Sequence, residues 1–217
     1  MDSLLQTELP ECIQTLSFAD DLAILASGEQ AYTHLQQALN NISVQINKLS
    51  LKLSSNKTKA MAFFVPDPTT TLQINGAHLE WVQNYTYLGI TLDKKLDFHM
   101  NVLILNTRIL KRLNFMRSLS SWHHGANSTV LRKFYVASIR SIIDYAAPSL
   151  IIAKPHLIDK LNKLQNVAMR IILGAPQWTN ISTMQETINL IPIAHRINYI
   201  AASFIIATLT SPKLFLL

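Results

Sequence analysis

The sequence predicts an α+β chain, with short strands around one helix in its first ninety or so residues and helices alone thereafter. Three observations carry that prediction. Apolar residues alternate over short runs up to about Ile90, as half-buried strands require. From Phe98 the apolar period lengthens to that of a helix, with Val102, Leu105, Ile109, Leu113 and Met116 on one broad face. Of the 217 residues, 49% are hydrophobic and 15% charged, so the chain can bury a real core and is not disordered overall. The one natural boundary lies near Leu96, dividing the chain into segments 1–96 and 97–217.

Each element has its own signal. Leu16 and Phe18 alternate with small or polar residues, Asp20-Asp21 follow, and then come Leu22, Ile24 and Leu25. That pattern predicts strand, tight turn, strand, with the Asp pair at the tip. Gly28 punctuates, and Glu29 to Leu49 reads as a helix with Leu35, Ala38, Leu39, Ile42 and Ile46 at helical spacing. Residues 51–57 form a strand end and a turn. Ala60 to Val65 reads as a strand closed by Pro66 and Pro68. Leu72-Gln73-Ile74 and His78 to Trp81 alternate around the hairpin signal Asn75-Gly76. Tyr85 to Ile90 reads as one more short strand. The helices follow. They are Phe98 to Leu119, Ser128 to Tyr145 capped by Asn127, and His156 to Leu173 with Pro155 in its first turn and Gly174 at its end. Ser182 to Ile188 and a last helix from Pro192 toward Thr210 complete the set.

The formal charge is +6 and the pI about 9.5, which suits an acidic partner such as nucleic acid. The charge is unevenly placed: residues 1–50 hold one base, Lys48, against six acids, and the remainder carries a balance of +11. A soluble basic surface without a ligand is the alternative meaning. Cys12 is the one cysteine, so neither a disulfide framework nor a Cys/His zinc cluster can form. Met1-Asp2-Ser3 does not begin a signal peptide, so the chain is expected to be intracellular, in nucleus or cytoplasm, and not secreted, while no localisation signal says where. The Asn-x-Ser/Thr matches at Asn84 and Asn127 are then accidental. The two most apolar stretches, Phe134 to Ala153 and Ile188 to Leu209, contain Arg140, Asp144, His195 and Arg196. Packed helices explain them better than membrane spans, which would bury those charges.

Two adjacent carboxylates repel each other and do nothing for a hairpin. A shared cation removes that repulsion, and hard oxygen ligands at a hairpin tip suit Mg²⁺ and hence phosphoryl transfer. A solvated turn is the plain alternative.

The segments that follow Phe18-Ala19-Asp20-Asp21 sharpen this. A helix comes next, and then Leu51-Lys52-Leu53-Ser54-Ser55-Asn56-Lys57-Thr58-Lys59, Tyr87-Leu88-Gly89-Ile90-Thr91-Leu92-Asp93, Ile139-Arg140-Ser141-Ile142-Ile143-Asp144-Tyr145 and Arg170-Ile171-Ile172-Leu173-Gly174-Ala175. This ordered set resembles the reverse transcriptases of non-LTR retrotransposons, especially Jockey-like elements, from about Leu16 to about Arg196. The resemblance implies part of a right-hand polymerase: a partial palm of antiparallel sheet plus helix, followed by an all-α, thumb-like helical bundle. It implies that Asp20 binds catalytic Mg²⁺ together with an aspartate from an earlier palm strand, and that Asp21 assists. It implies an RNA template and a DNA primer as partners. Lys57 would contact phosphate or donate a proton, and Lys59 would do so less directly. Tyr87, Leu88 and Gly89 would form the primer-grip turn, with Gly89 letting backbone approach the primer end. Arg108, Lys111 and Arg112 on the first thumb helix would lie along phosphates.

Other polar and aromatic residues read as structural. Arg140 and Asp144, four apart, are expected to pair within an apolar helix beside Tyr145. His123-His124 could ligate metal but has no partner cluster nearby and reads as a loop pair, and Trp81, Trp122 and Trp178 could stack on bases but read as packing residues.

The chain begins 19 residues before Asp20, without the preceding palm strand or the fingers, and Asp2 stands in an unrelated context. Two carboxylates on one turn do not hold two Mg²⁺ for in-line transfer. The expectation is a polymerase fragment, inactive alone, that shows marginal solubility, self-association through an exposed palm edge or a requirement for another chain. A nucleic-acid-binding module without chemistry, or a decayed element without function, are the other readings.

Overall fold

The computed structural model describes residues 12–54, 56–66, 68–120 and 125–210. They form two compact units, one up to Tyr85 and the other from Thr86.

In the first unit, β1 (Ile13–Phe18) and β2 (Asp21–Ala26) make an antiparallel hairpin. Phe18 stands opposite Asp21, so Ala19 and Asp20 alone form the connection. Period-two alternation sends Leu22 and Ile24 toward Ile42 and Ile46 of α1 (Ala31–Lys48). Leu16, Phe18 and Leu25 share the opposite face with Asp21 and stay exposed. The inward stripe of α1 is Ala38, Leu39, Ile42 and Ile46, at the spacing the sequence shows.

The remaining strands of this unit are two residues each. β3 (Lys59–Ala60) pairs in parallel with β6 (Glu80–Trp81). β4 (Gln73–Ile74) pairs antiparallel with β5 (Ala77–His78) around Asn75 and Gly76, at φ 50° and 76°. Two successive positive φ values are what a tight Asn-Gly hairpin turn needs. Leu39, Ala60, Leu72, Ile74 and Leu79 form a small core.

Two expectations are corrected here. The run Ala60 to Val65 is not a strand beyond Ala60, because Phe64 takes a left-handed φ of 60° that no strand accommodates. Nor is there one antiparallel sheet. The described strands form four separate two-stranded pieces, one of them parallel.

The boundary falls within β7 (Asn84–Tyr87), which leads to β8 (Ile90–Asp93) through Leu88 and Gly89 at φ 47° and 78°. The run Tyr85 to Ile90, expected as one strand, is therefore a hairpin with its reversal at Leu88-Gly89. Helices follow: α2 (His99–Leu119), α3 (Ser128–Phe134), a π-helical segment (Tyr135–Arg140), α4 (Ser141–Leu150), α5 (Pro155–Leu173), α6 (Ile181–Ile188) and α7 (Ile193–Thr210). The helix ends read at Asn127 and Gly174 are present, and Asn180 adds a cap that the sequence reading did not name. Asn127 Oδ1 accepts from Val130 N at 2.9 Å, Asn180 Oδ1 from Ser182 N at 2.9 Å, and Gly174 turns left-handed after α5. The helix expected to end at Tyr145 runs on to Leu150 with Pro148 inside it. The proline removes one hydrogen bond near the helix end, and burial of Ala146, Ala147 and Leu150 offsets the loss.

One continuous core joins these helices. It contains the α2 stripe Val102, Leu105, Ile109, Leu113 and Met116, together with Leu157, Leu161 and Met169 of α5. Its polar feature is Tyr135, wholly buried, whose hydroxyl donates to Gln165 Oε1 at 2.8 Å, while Gln165 Nε2 donates to Ile191 O at 2.8 Å. Burial pushes the Tyr135 phenol well above its ordinary pKa, so it stays a neutral donor.

Asp144 departs from expectation in its partner. The expected contact from Arg140 is 3.8 Å long, and Arg140 Nε makes no hydrogen bond. The tight partner is Arg196 on α7, whose Nε and Nη2 donate to Asp144 Oδ1 and Oδ2 at 3.1 and 2.9 Å.

At the start of α2, Asp97 Oδ1 accepts from His99 N at 2.9 Å and Lys154 Nζ lies 3.7 Å from Oδ2. The backbone N–H first, and the lysine after it, hold this carboxyl below its usual range. Its contribution to stability is present above the unfolded-state pKa and is lost as pH falls through the lower folded value. Acid unfolding followed by circular dichroism below about pH 4 is expected to be shallower in Asp97→Asn than in the parent. Identical acid limbs would remove Asp97 from this role.

The apolar stretch Phe134 to Ala153 packs for the most part, with Tyr135, Ile139, Ile143 and Leu150 buried and Tyr145, Ile151 and Ile152 exposed. The second stretch does so only in part. Ile193, Ile197 and Ala201 are buried, while Phe204, Ile205, Ile206 and Leu209 are exposed. Among the described residues, α7 is the one helix long and apolar enough to cross a membrane, by length and composition.

Candidate functional site

The hairpin tip is built by strain as well as by sequence. Ala19 sits at φ 51°, a conformation costing an L-residue about 1–2 kcal/mol. A non-glycine residue in this region is an outlier of the kind that accompanies functional turns. The turn leaves Asp20 in the connection and Asp21 as the first residue of β2, both exposed. No hydrogen bond or ion pair among the described residues ties either carboxylate down. They offer hard oxygen donors to a divalent cation, but only two of them. Among the described residues no group of three or more His, Cys, Asp or Glu side chains gathers. The pair therefore fits Mg²⁺ as part of a ligand set, one that needs at least one further carboxylate.

The lysines of this unit divide. Lys57 lies in a turn, its N–H donating to Ser54 O at 3.0 Å and its carbonyl accepting from Tyr85 Oη at 3.1 Å, with the residue exposed. Lys59 is committed: Nζ lies 2.7 Å from Glu80 Oε2, its neighbour across the parallel β3–β6 pair.

In the second unit, Leu88 and Gly89 form the β7–β8 turn that Tyr87 leads into. The Leu88 carbonyl accepts from Tyr145 Oη at 2.6 Å. A Cβ on Gly89 would lie 3.6 Å from Tyr145 Cε1, an ordinary contact, so the positive φ and not crowding asks for glycine. Tyr145 is the residue that sequence reasoning missed. It lies on α4, 57 positions after Leu88, and no local pattern links the two.

On α2, Arg108 and Lys111 line one groove of about 340 Å³ with Leu103, Ile104 and Thr107. Arg112 points elsewhere: its Nη1 donates to Ser138 O in the π-helical segment. The three bases thus separate into two on an open face and one joining α2 to the next helix. Trp81 packs as expected, edge-on to Tyr32 with centroids 5.9 Å apart and Nε1 donating to Thr70 O at 2.9 Å. Trp178 contradicts the packing expectation, being 87% exposed. Asp2, Trp122, His123 and His124 lie outside the described residues.

An exposed acid pair on a two-residue turn, followed by a helix and a left-handed Leu-Gly turn, is the order of parts the motifs announced. The family described as reverse transcriptase (RNA-dependent DNA polymerase) matches residues 1–92. This match and the curated relatives bear out the resemblance that the motifs carry, to reverse transcriptases of the non-LTR, Jockey-like kind. A probable RNA-directed DNA polymerase from transposon BS of Drosophila melanogaster is 28% identical over 188 residues, 84% of this chain and 21% of the relative. The RNA-directed DNA polymerase from mobile element jockey of Drosophila funebris is 25% identical over 194 residues, 87% of this chain and 21% of the relative. Its Drosophila melanogaster counterpart is 25% identical over 206 residues, 89% and 22% respectively. The chain spans about a fifth of the length of these relatives. No solved structure matches it.

Proposed function

We propose that this chain is the later palm and the thumb of an RNA-directed DNA polymerase. On this reading Asp20, with Asp21 assisting, supplies carboxylates to a Mg²⁺ site completed by an aspartate outside the chain. The observation that carries it is the exposed, strained Asp20-Asp21 turn inside a segment matching reverse transcriptases. Bound Mg²⁺ would supply charge neutralisation for nucleotidyl transfer. The chain's own residues hold the ligand oxygens at a rigid tip and present basic side chains to the nucleic acid. Lys57 is the free phosphate-contact candidate of the first unit, since Lys59 serves Glu80. Tyr145 positions the Tyr87-Leu88-Gly89 turn on which a primer end would rest. From Thr86 onward, fifteen bases face five acids, the balance a polyanion-binding unit needs.

Primer extension on an RNA template by a full-length polymerase carrying this segment tests the catalytic reading, and absence of synthesis overturns it. Duplex binding tests the rest. Replacing Arg108 and Lys111 by Ala is expected to weaken binding to an RNA–DNA duplex and to reduce the slope of log K against log salt by about one to two. Arg112→Ala is expected to cost stability more than slope, because its guanidinium is spent on Ser138 O. An unchanged slope in the double variant would take Arg108 and Lys111 off the nucleic-acid face.

A further inference from the structure

Trp178 stands out among the described side chains. Tryptophan is rarely left in water, yet this one is 87% exposed. It is not on a loose loop. Arg170 Nη2 donates to Gln177 O at 3.1 Å, Thr179 N donates to Pro176 O at 3.2 Å, and Ala175 N donates to Arg170 O at 3.1 Å. On the far side Asn180 caps α6. The backbone on either side of Trp178 is thus tied down, so little of the cost of ordering this loop remains to be met on binding.

The charge of the surroundings selects the partner. The second unit is strongly basic, and its acids are largely occupied: Asp144 by Arg196, Asp97 by Lys154 and Asp159 by Lys163. Arg170 donates to two neutral carbonyls, Gln177 O and, through Nη1 at 3.3 Å, Asn166 O, and these leave its positive charge beside the loop uncancelled. Glu186 on α6 is the one opposing carboxylate of that helix. An exposed, rigid aromatic face in a positive field suits the π-face of a nucleobase carried on a phosphate backbone. Paired bases are covered by their neighbours, whereas an unpaired base is free to stack.

We propose that Trp178 is a stacking platform for an unpaired base of nucleic acid. The inference rests on the nucleic-acid reading above and adds a contact that the motifs do not name. The test compares single-stranded DNA of about 20 nucleotides with inorganic polyphosphate, which carries the charge without bases. Trp178→Ala is expected to lower affinity for the single strand by about 5- to 100-fold. Trp178→Phe should lose less, and polyphosphate binding should be unchanged in both variants. A Trp81→Phe/Trp122→Phe protein keeps Trp178 as its one indole, and its fluorescence should be quenched by the single strand.

Unchanged single-strand affinity in Trp178→Ala, or an equal loss on polyphosphate, or no quenching, overturns the stacking proposal while leaving the general binding reading intact. If the parent protein binds neither polymer, the binding reading falls and the stacking proposal falls with it.

Discussion

Asp20→Asn is expected to reduce DNA synthesis by a full-length polymerase carrying this segment by about three orders of magnitude or more. The substitution keeps size and shape and removes only the negative charge. Asp20 is exposed and holds no hydrogen bond in the turn, so the fold should be unchanged. The loss would therefore be electrostatic: a neutral amide oxygen is a poor ligand for a divalent cation whose task is to balance phosphate charge. Binding to a template–primer duplex should persist and even tighten slightly, since a charge repelling the backbone is gone. Asp21→Asn should cost less, because the resemblance gives Asp21 only the assisting role. Undiminished synthesis by Asp20→Asn would remove the residue from the catalytic set, and with it the proposed metal site.

Asp144→Asn should destabilise the second unit by about 2–3 kcal/mol. The carboxylate is 22% exposed and accepts both arms of the Arg196 fork, with Arg140 approaching the same oxygen. Neutralising it leaves two guanidinium groups near each other without their shared anion. The partners should rank unequally in urea unfolding. Arg196→Ala should approach the Asp144→Asn loss, while Arg140→Ala should cost below about 1 kcal/mol, since its contact is long. Arg140→Ala proving the more damaging would mean that the local i, i+4 pair, not the link from α4 to α7, carries the energy.

That comparison marks a general division in this chain. Local chemistry was readable. Asn127 capped its helix, Gly174 ended α5, Asn75-Gly76 reversed the chain, and the apolar stripes of α1 and α2 faced inward as their spacing required. Each depends on residues within about five positions of one another, where side-chain type alone decides the backbone state. The acid pair was readable for the same reason, as was the family resemblance, which is a property of ordered short motifs.

Partnerships over long separations were not readable. Arg196 replaced Arg140 as the tight partner of Asp144 across 52 positions, and Tyr145 reached the Leu88 carbonyl across 57. Arg112, alike in sequence to Arg108 and Lys111, was drawn to the π-helical segment. Phe64 broke a run that alternation read as strand. Trp178, of a residue type that usually packs, was left in water. The sequence by itself determined which segments are helix, which reverse, and which acids lie at the tip, because those are set by nearest neighbours. The tertiary structure decided which charge is paired, which aromatic is free and which base remains on an open face. Those outcomes depend on which distant groups are brought within hydrogen-bond reach, and only the packed helices set that distance.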